Sequence, residues 1–474
     1  MDEYEVPTSA ATPGQPGPTA ATGSSHRAQN SQRAESLGDD CRPGDDLGRP
    51  GSSTLLEVEL RLLILLVFLA SGCQLIGDGD APTPEPCSPQ PVVRGPWAVG
   101  YHMTQADIRW ETEVAGCGGI RLRRESGGEW LAQVASSEEI VNRTLAVGEG
   151  VLERPDIPGP SVQHRVNLQN LEPGTCYQYQ ISQTAEVVTG RFCTAPRLDS
   201  RSPLRFALIG DTNPAMGTTA GLYQNLADWT PSAILHAGDI QYYDSFIETW
   251  ADWFVRSEPL LRSAAILPVV GNHELEVLDE RLEPEGTLPR DFTEYYQPMW
   301  GDHGHSGPGN NYAFRMGGLL VLALDSEWDP QDMWTQEVQQ WVVQTLVQAE
   351  SDPSYRFAVV MFHRPLMTRS RYGGQTERRA QFVNLVAPFR VKLILSGHAH
   401  CYERFIDSGR TWIVSGGGGA LPHRCDQEHE DLALAQQAAH TTYHWVGFTL
   451  TASGLTGEVF DADDQVIDRF EIGG

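Results

Sequence analysis

The chain has 474 residues, 40% of them hydrophobic and 20% charged, and its 34 Lys plus Arg stand against 62 Asp plus Glu for a formal charge of −28. That balance excludes nucleic-acid binding driven by a general basic surface, because affinity for phosphate backbones comes mainly from the cations brought to them. The length allows about two to four domains, and the composition excludes collagenous, disulfide-dense and polytopic membrane classes. Lys392 is the only lysine, so 33 of the cations are arginines; the codon bias of a GC-rich genome accounts for this, with adaptation to salt as the sharper alternative.

Residues 1–57 read as a disordered leader, since 1–53 are rich in Ala, Gly, Pro, Ser and Thr and carry few large apolar side chains to offset the entropy of ordering. Residues 58–72 read as an export signal. Arg61 supplies a short cationic start, Leu62 to Ala70 an apolar core, and Ala70-Ser71-Gly72 small residues before a cut; the core is well short of the roughly 20 apolar residues of a membrane span. The run Leu69-Ala70-Ser71-Gly72-Cys73 resembles a bacterial lipoprotein signal, which implies that Cys73 is lipidated and anchors an exported protein to a membrane, periplasmic or cell-surface. An ordinary signal peptide is the alternative. Because such signals open a chain, translation is expected to start near Val58 or Leu56, which makes the leader a mis-assigned start. Without residues 1–72, 29 cations face 52 acids, a net −23.

Residues 73–91 follow as a Pro-rich tether, with five prolines between Asp78 and Pro91. Export implies an oxidising compartment. Setting Cys41 and Cys73 aside leaves six cysteines and 15 pairings; short loops favour Cys87–Cys117, Cys176–Cys193 and Cys401–Cys425. No CxxC spacing marks a zinc site.

Two folded units are expected. Over 92–197, short alternating stretches such as Ala106 to Glu111, Ile120 to Arg123, Val162 to Val166 and Tyr177 to Ile181, punctuated by Gly and Pro, predict an antiparallel β-sandwich. Leu171 to Tyr179 resembles the late turn and strand of fibronectin type III domains. No catalytic constellation lies in this unit. Over 203–474 the pattern becomes strand, loop, helix, with apolar runs at 206–209, 233–235, 265–270, 319–324, 357–361 and 391–395 and an amphipathic stretch from Trp334 to Ala349. Continuous apolar strands suit sheets covered on both faces. The fold class is thus a β-sandwich followed by an α/β unit.

The chemistry follows those strands. Asp211, Asp239, Asn272 with His273, His363, and His398 with His400 each stand just past a strand end, where ligands bind in open α/β sheets. One such residue is ordinarily a cap or a core group, but six metal-capable side chains so placed, two Asp, one Asn and three His with His273 left aside, are not a coincidence. The mixed O/N set suits hard or borderline ions such as Fe, Zn or Mn, and its size exceeds what a mononuclear zinc site uses.

Gly210-Asp211, Gly238-Asp239-Ile240-Gln241-Tyr242, Gly271-Asn272-His273-Glu274, Phe362-His363 and Gly397-His398-Ala399-His400-Cys401-Tyr402-Glu403-Arg404 resemble the five blocks of calcineurin-type metallophosphoesterases, and among them the purple acid phosphatases, which also carry a fibronectin-like domain. That resemblance implies a four-layer α/β/β/α unit. It implies Fe(III) on Asp211, Tyr242 and His400, a divalent ion (Zn, Fe or Mn) on Asn272, His363 and His398, and Asp239 bridging both. Asn213 stands where many relatives have His, and Tyr242, with Tyr243 as competitor, points to the purple subfamily. With a bridging hydroxide the ligand and metal charges sum to about +1, a local attraction for a small phosphoester in an acidic protein. The implied reaction is metal-assisted hydrolysis of phosphate monoesters, with His273 stabilising the transition state or protonating the leaving oxygen. A phosphodiesterase on nucleotides or lipid headgroups and an extracellular binding protein with a vestigial metal site are the alternatives. The stretch Pro365 to Gly374 lacks the further His residues that the family often has there. Gly416 to Gly419 reads as a tight turn, Arg364 as a phosphate contact or an ion pair, and His423 and His444 as pocket or structural residues.

Overall fold

The computed structural model describes residues 89–115, 118–134, 136–140, 161–182, 186–213, 219–241, 253–274, 293–301, 307–326, 335–428, 432 and 435–473. The leader, the signal, Cys73, Cys87 and Cys117 lie outside the described residues, as does Tyr242. Among the described residues no helix is long and apolar enough to cross a membrane.

The first unit pairs two four-stranded sheets. One runs β1 (Val92–Val99), β2 (Ala106–Thr112), β6 (Ser161–Leu168), β5 (Ser136–Ile140), and the other β4 (Leu131–Val134), β3 (Gly119–Arg124), β7 (Cys176–Ser182), β8 (Val188–Cys193). Every pairing is antiparallel. Inward residues alternate along β7, where Tyr177, Tyr179 and Ile181 are buried and their neighbours half-buried. Cys176 and Cys193, opposite one another on β7 and β8, form a disulfide. The expected alternation fails on β2, all seven of whose residues are buried. Its polar face is covered: Arg109 donates to Gly301 O of the second unit at 3.2 Å and to Asp107 at 3.2 Å, and Glu111 pairs with Arg94.

The second unit is built on two further sheets. The first has the order β11 (Ala265–Pro268), β10 (Ala233–His236), β9 (Leu204–Ile209), β19 (His444–Leu450), β20 (Gly454–Asp461), β21 (Val466–Gly473). The second has the order β12 (Tyr312–Met316), β13 (Leu319–Ala323), β14 (Phe357–Met361), β15 (Val391–Ser396), β17 (Arg410–Ser415), β16 (Tyr402–Asp407), β18 (Gln436–His440). The central strands β9 to β11 and β13 to β15 with β17 are parallel, and the flanking ones antiparallel. All six expected apolar runs are strands.

Why these runs are apolar throughout is visible in where alternate residues go. Phe206 and Leu208 of β9 enter the same core as Leu319, Val321 and Ala323 of β13, between the two sheets. Ala207 and Ile209 face the other way, against α1 (Thr219–Asp228), α2 (Glu258–Leu261) and α3 (Thr293–Trp300). Leu320 and Leu322 face α4 (Gln336–Glu350) and α5 (Thr376–Val386). Each parallel strand is thus covered on both sides, giving helix, sheet, sheet, helix. Thr335 caps α4, its hydroxyl accepting from Val338 N at 3.2 Å.

The two units share buried surface. Trp97 and Val99 of β1 belong to the core under α1 to α3, and Trp97 donates to Met299 O at 2.8 Å. Arg191 of β8 donates to Pro231 O at 2.7 Å and Ser263 O at 3.0 Å. Because Trp97 fills the second unit's core from the first, Trp97→Ala is expected to cost about 3–5 kcal/mol and to lower the urea midpoint of both units together, read by tryptophan fluorescence and far-UV circular dichroism; loss confined to the sandwich would contradict this shared core.

Candidate metal centre

The C-terminal ends of β9, β10, β11, β14 and β15 converge, and the expected ligands other than Tyr242 stand just beyond them. Three of these residues are held in the left-handed region: Asp211 at φ +56, Asp239 at +48 and His398 at +66. For non-glycine residues this conformation costs roughly 1–3 kcal/mol, and such strain concentrates at functional sites. Glycines make the approach feasible. A Cβ on Gly238 would stand 2.6 Å from the His363 ring, one on Gly397 2.5 Å from Asp211 Oδ2, and one on Gly271 2.3 Å from Asp239 Oδ1.

The backbone hydrogen bonds lock the loops to one another. Asp211 N donates to Gly238 O, Gly397 N to His363 O, and His398 N to Asp211 Oδ2 at 2.8 Å. Gly418 N reaches Gly210 O, so the run Gly416 to Gly419 packs beside the site, as a bend and not the tight turn expected from the sequence.

Among the described ligands, Asp239, His363 and His398 offer donor atoms that all lie within 4.8 Å of one another. His363 Nδ1 donates to Ala237 O at 2.8 Å, which leaves Nε2 as a lone pair. That lone pair faces Asp239 Oδ2 at 3.2 Å and Asn272 Oδ1 at 3.2 Å. His400 is arranged in the same way: Nδ1 donates to Leu421 O at 3.1 Å, and Nε2 stands 3.7 Å from Asp211 Oδ1. Buried acceptors turned toward acceptors are the arrangement a cation satisfies, and the donor set fits one. Burial pulls the imidazoles of His398 and His400 down, to about 2 and about 4, so both are held in the neutral, ligating form. For Asp239 burial works upward, and the carboxylate stays ionised because a proton on His363 Nε2, where a cation would otherwise sit, outweighs it together with His273.

His273, with its side chain about one-fifth exposed, donates its backbone N–H to Asp239 Oδ1 at 3.0 Å and holds Nε2 4.0 Å from Asp239 Oδ2. Arg364 Nη1 stands 3.2 Å from His398 Nε2, so this arginine is at the site. His423 lies over His400, ring centroids 5.0 Å apart, whereas His444 is fully buried between Ser415 Oγ and Thr442 O and is structural. Cys401 and Cys425 form the expected disulfide.

Sequence reasoning missed the supports. Glu274, quoted only within its block, accepts from Gly271 N at 2.7 Å, Ile240 N at 2.8 Å and Asp239 N at 3.0 Å, stitching the β10 loop to the β11 loop. Burial, then Asp239, push its carboxyl well above the usual range. His236, Thr212 and Trp253 form a second buried network under Asp239, with Thr212 Oγ1 3.0 Å from His236 Nε2 and accepting from Trp253 Nε1 at 2.9 Å. Tyr372 lies 4.4 Å over the His398 ring, in the stretch that lacks further histidines. Only Glu274 carried a signal, its adjacency to the Asn272 and His273 pair; the rest depends on tertiary packing.

Residues 204–402 match the family model described as calcineurin-like phosphoesterase. The chain carries a calcineurin-like phosphoesterase domain. Its relatives include an uncharacterised protein of Mycobacterium tuberculosis (28% identical, covering 51% of this chain and 50% of that protein) and purple acid phosphatase 1 of Ipomoea batatas (28% identical, 51% of each). The chain spans about half the length of these relatives. In fold it is similar to the purple acid phosphatase PPD1 from yellow lupin seeds, at 18% identity, TM-score 0.64, and 81% and 74% coverage of this chain and that one. A structure of PhoD matches at 12% identity, TM-score 0.58, and 82% and 94% coverage.

Two outcomes test this architecture. Glu274→Gln is expected to weaken metal retention about 10–100-fold, measured by elemental analysis after dialysis at unchanged melting temperature. Glu403 is buried and accepts from Arg369 N and Gln436 Nε2, each at 2.9 Å; burial nevertheless lifts its carboxyl to about 7. The folded chain therefore keeps a proton that the unfolded chain releases near the usual carboxylate range. This contribution is complete at low pH and is lost as pH rises toward about 7, by up to about 1.4 kcal/mol per pH unit. Urea titrations at pH 5 and pH 7 should show a smaller difference for Glu403→Gln than for the parent.

Proposed function

We propose that the calcineurin-like phosphoesterase domain hydrolyses phosphate monoesters at a dinuclear centre of the purple acid phosphatase type. The observation that carries this reading is the buried meeting of His363 Nε2, Asp239 Oδ2 and Asn272 Oδ1, three acceptors within 3.2 Å contacts of the imidazole. Support also comes from purple acid phosphatases among the relatives and from one named phosphoenolpyruvate phosphatase in Allium cepa, 27% identical over half of each chain.

In this reading Asp211, Tyr242 and His400 would hold Fe(III), Asn272, His363 and His398 would hold Zn, Fe or Mn, and Asp239 would serve both. When bound, the metals supply Lewis-acid activation of water and charge neutralisation for phosphoryl transfer. The protein's own groups then have separate tasks. Ala237 O and Leu421 O fix the imidazole tautomers of His363 and His400. His273, anchored through its backbone N–H to Asp239 and partly open to solvent, holds a proton at Nε2 for the leaving oxygen. Arg364 brings a fixed positive charge beside His398 for a phosphate oxygen.

The sandwich is read as fibronectin-like, supported by its two four-stranded antiparallel sheets and the Leu171 to Tyr179 turn. Export and a lipid anchor on Cys73 rest on the signal-like sequence of residues 58–73. The partner is a small phosphoester and not a nucleic-acid polymer, in keeping with a −28 chain.

Metal analysis with a visible spectrum tests the centre. Two metals per chain and a purple or pink tyrosinate band that Tyr242→Phe abolishes are expected; a colourless, active protein holding only Zn or Mn would overturn the iron assignment. Faster turnover of p-nitrophenyl phosphate than of its bis ester is expected. The reverse order would make the domain a phosphodiesterase, and no turnover of either with two metals bound would make it a binding protein.

A further inference from the structure

The rim of the metal centre carries apolar surface that has no part in holding metals or moving protons. Tyr372, in the loop between β14 and α5, is 43% exposed and is the only exposed Phe, Tyr or Trp among the described side chains. Its ring centroid lies 4.4 Å from that of the candidate ligand His398, with the rings tilted at 38°, and 5.5 Å from that of His423, edge-on. His423 in turn lies 5.0 Å from His400. Leu421, whose carbonyl oxygen fixes His400 Nδ1, is 58% exposed. Two of the large apolar side chains that the fold leaves in water thus belong to residues in contact with ligands of one site.

Both are carried on tied segments. Gly373, at φ +68, closes a turn by donating its N–H to Ser370 O at 3.1 Å, and Tyr372 N donates to Ser370 Oγ at 3.3 Å. Ser370 N donates to Thr368 Oγ1 at 3.0 Å, and both of these residues are fully buried. At the hydroxyl end, Arg371 Nη2 donates to Tyr372 Oη at 3.0 Å. The segment after Leu421 is bound to the His400 loop by the Cys401–Cys425 disulfide and by His423 N donating to His400 O at 3.0 Å. A ligand that covers this rim therefore has little loop ordering to offset.

A preorganised aromatic surface at the mouth of a polar site discriminates by the shape and apolarity of whatever the phosphate is attached to. A glycerol or sugar leaving group keeps its hydroxyls in water and gains little against such a rim. A flat aromatic one packs on the ring and sheds water from both surfaces. We propose that Tyr372 and Leu421 form the leaving-group side of the site and select small phosphomonoesters with an aromatic leaving group. This assignment rests on the monoester reading of the same centre.

Benzyl phosphate and glycerol 1-phosphate are both primary alkyl esters, so comparing them separates recognition from intrinsic reactivity. With the full, metal-loaded chain, kcat/KM is expected to be about tenfold higher for benzyl phosphate, carried by KM. An aromatic pair is worth roughly two- to tenfold in affinity beyond the area it buries, so Tyr372→Ala should raise KM for benzyl phosphate about five- to tenfold. Leu421→Ser should raise it about twofold. Both changes should be smaller for glycerol 1-phosphate, and Tyr372→Phe should retain the preference. Calorimetric titration with benzylphosphonate and methylphosphonate, which are not hydrolysed, should show the same preference in Kd and the same loss. No preference in the parent, or an equal change for both esters in Tyr372→Ala, would overturn the proposal. So would loss of bound metal in that variant, which would make the ring a prop for His398. Leu421→Ser decides the matter if Tyr372→Ala does not fold. Turnover of neither ester sinks the monoester reading, and the phosphonate preference then decides the subsite by itself.

Discussion

The burial of Asp239 in a left-handed turn is the constraint on which the site depends. Its side chain meets His363 at 3.2 Å and takes the backbone N–H of His273, while its own N–H is held by Glu274. A carboxylate with no exposure is unfavourable unless positive or donor groups surround it. Here the loops of β10, β11 and β14 supply those groups, and each of them is itself placed by the pairing of parallel strands. The fold thus brings ligands together by register: β9 to β11 in one sheet and β13 to β15 in the other end at the same edge. Glycine at 238, 271 and 397 removes the one carbon that would keep the loops apart.

That edge was legible in the sequence because its residues are punctuation. A run such as Phe357 to Met361 is apolar at every position since both faces are covered, and the polar residue that ends it stands out. The same logic found Asp211, Asn272, His363, His398 and His400. What was not legible is whatever depends on a partner far along the chain. Glu274 accepts from residues 34 and 35 positions away, and His236 and Thr212 meet across 24 positions. A carboxylate or imidazole in such a network carries no periodicity of its own. The buried polar face of β2 is a similar case: the alternation of Asp107, Arg109 and Glu111 reads as solvent-facing, and the second unit covers it instead. The C-terminal strands β20 and β21 are not among the continuous apolar runs, because they are flanking antiparallel strands buried only in part.

The two units are joined through groups that belong structurally to both. Trp97 is a sandwich residue by sequence and a member of the core beneath α1 to α3 by contact, its ring centroid 4.7 Å from that of Phe254 with the two rings tilted at 54°. Arg191 works at the same boundary through carbonyl oxygens of the second unit. Burying an arginine against carbonyls fixes orientation more than it adds stability, since its planar donors accept few alternative geometries. The sandwich is thus held in a defined orientation against the α2 and β11 region.

This junction gives the arginine-rich composition a structural meaning that the net charge hides. Lysine would place a mobile point charge at the positions of Arg109, Arg191 and Arg262, whereas the guanidinium serves carbonyls and carboxylates from several directions at once. Where those acceptors are present, as for Arg191, the seam is closed. An acidic protein then repels polyanions over most of its surface while its strand ends meet in a buried, cation-fitting cluster. Burial makes this compatible with the charge, since screening limits the surface field to about 8–10 Å at physiological salt, whereas a bound cation would act at contact distance.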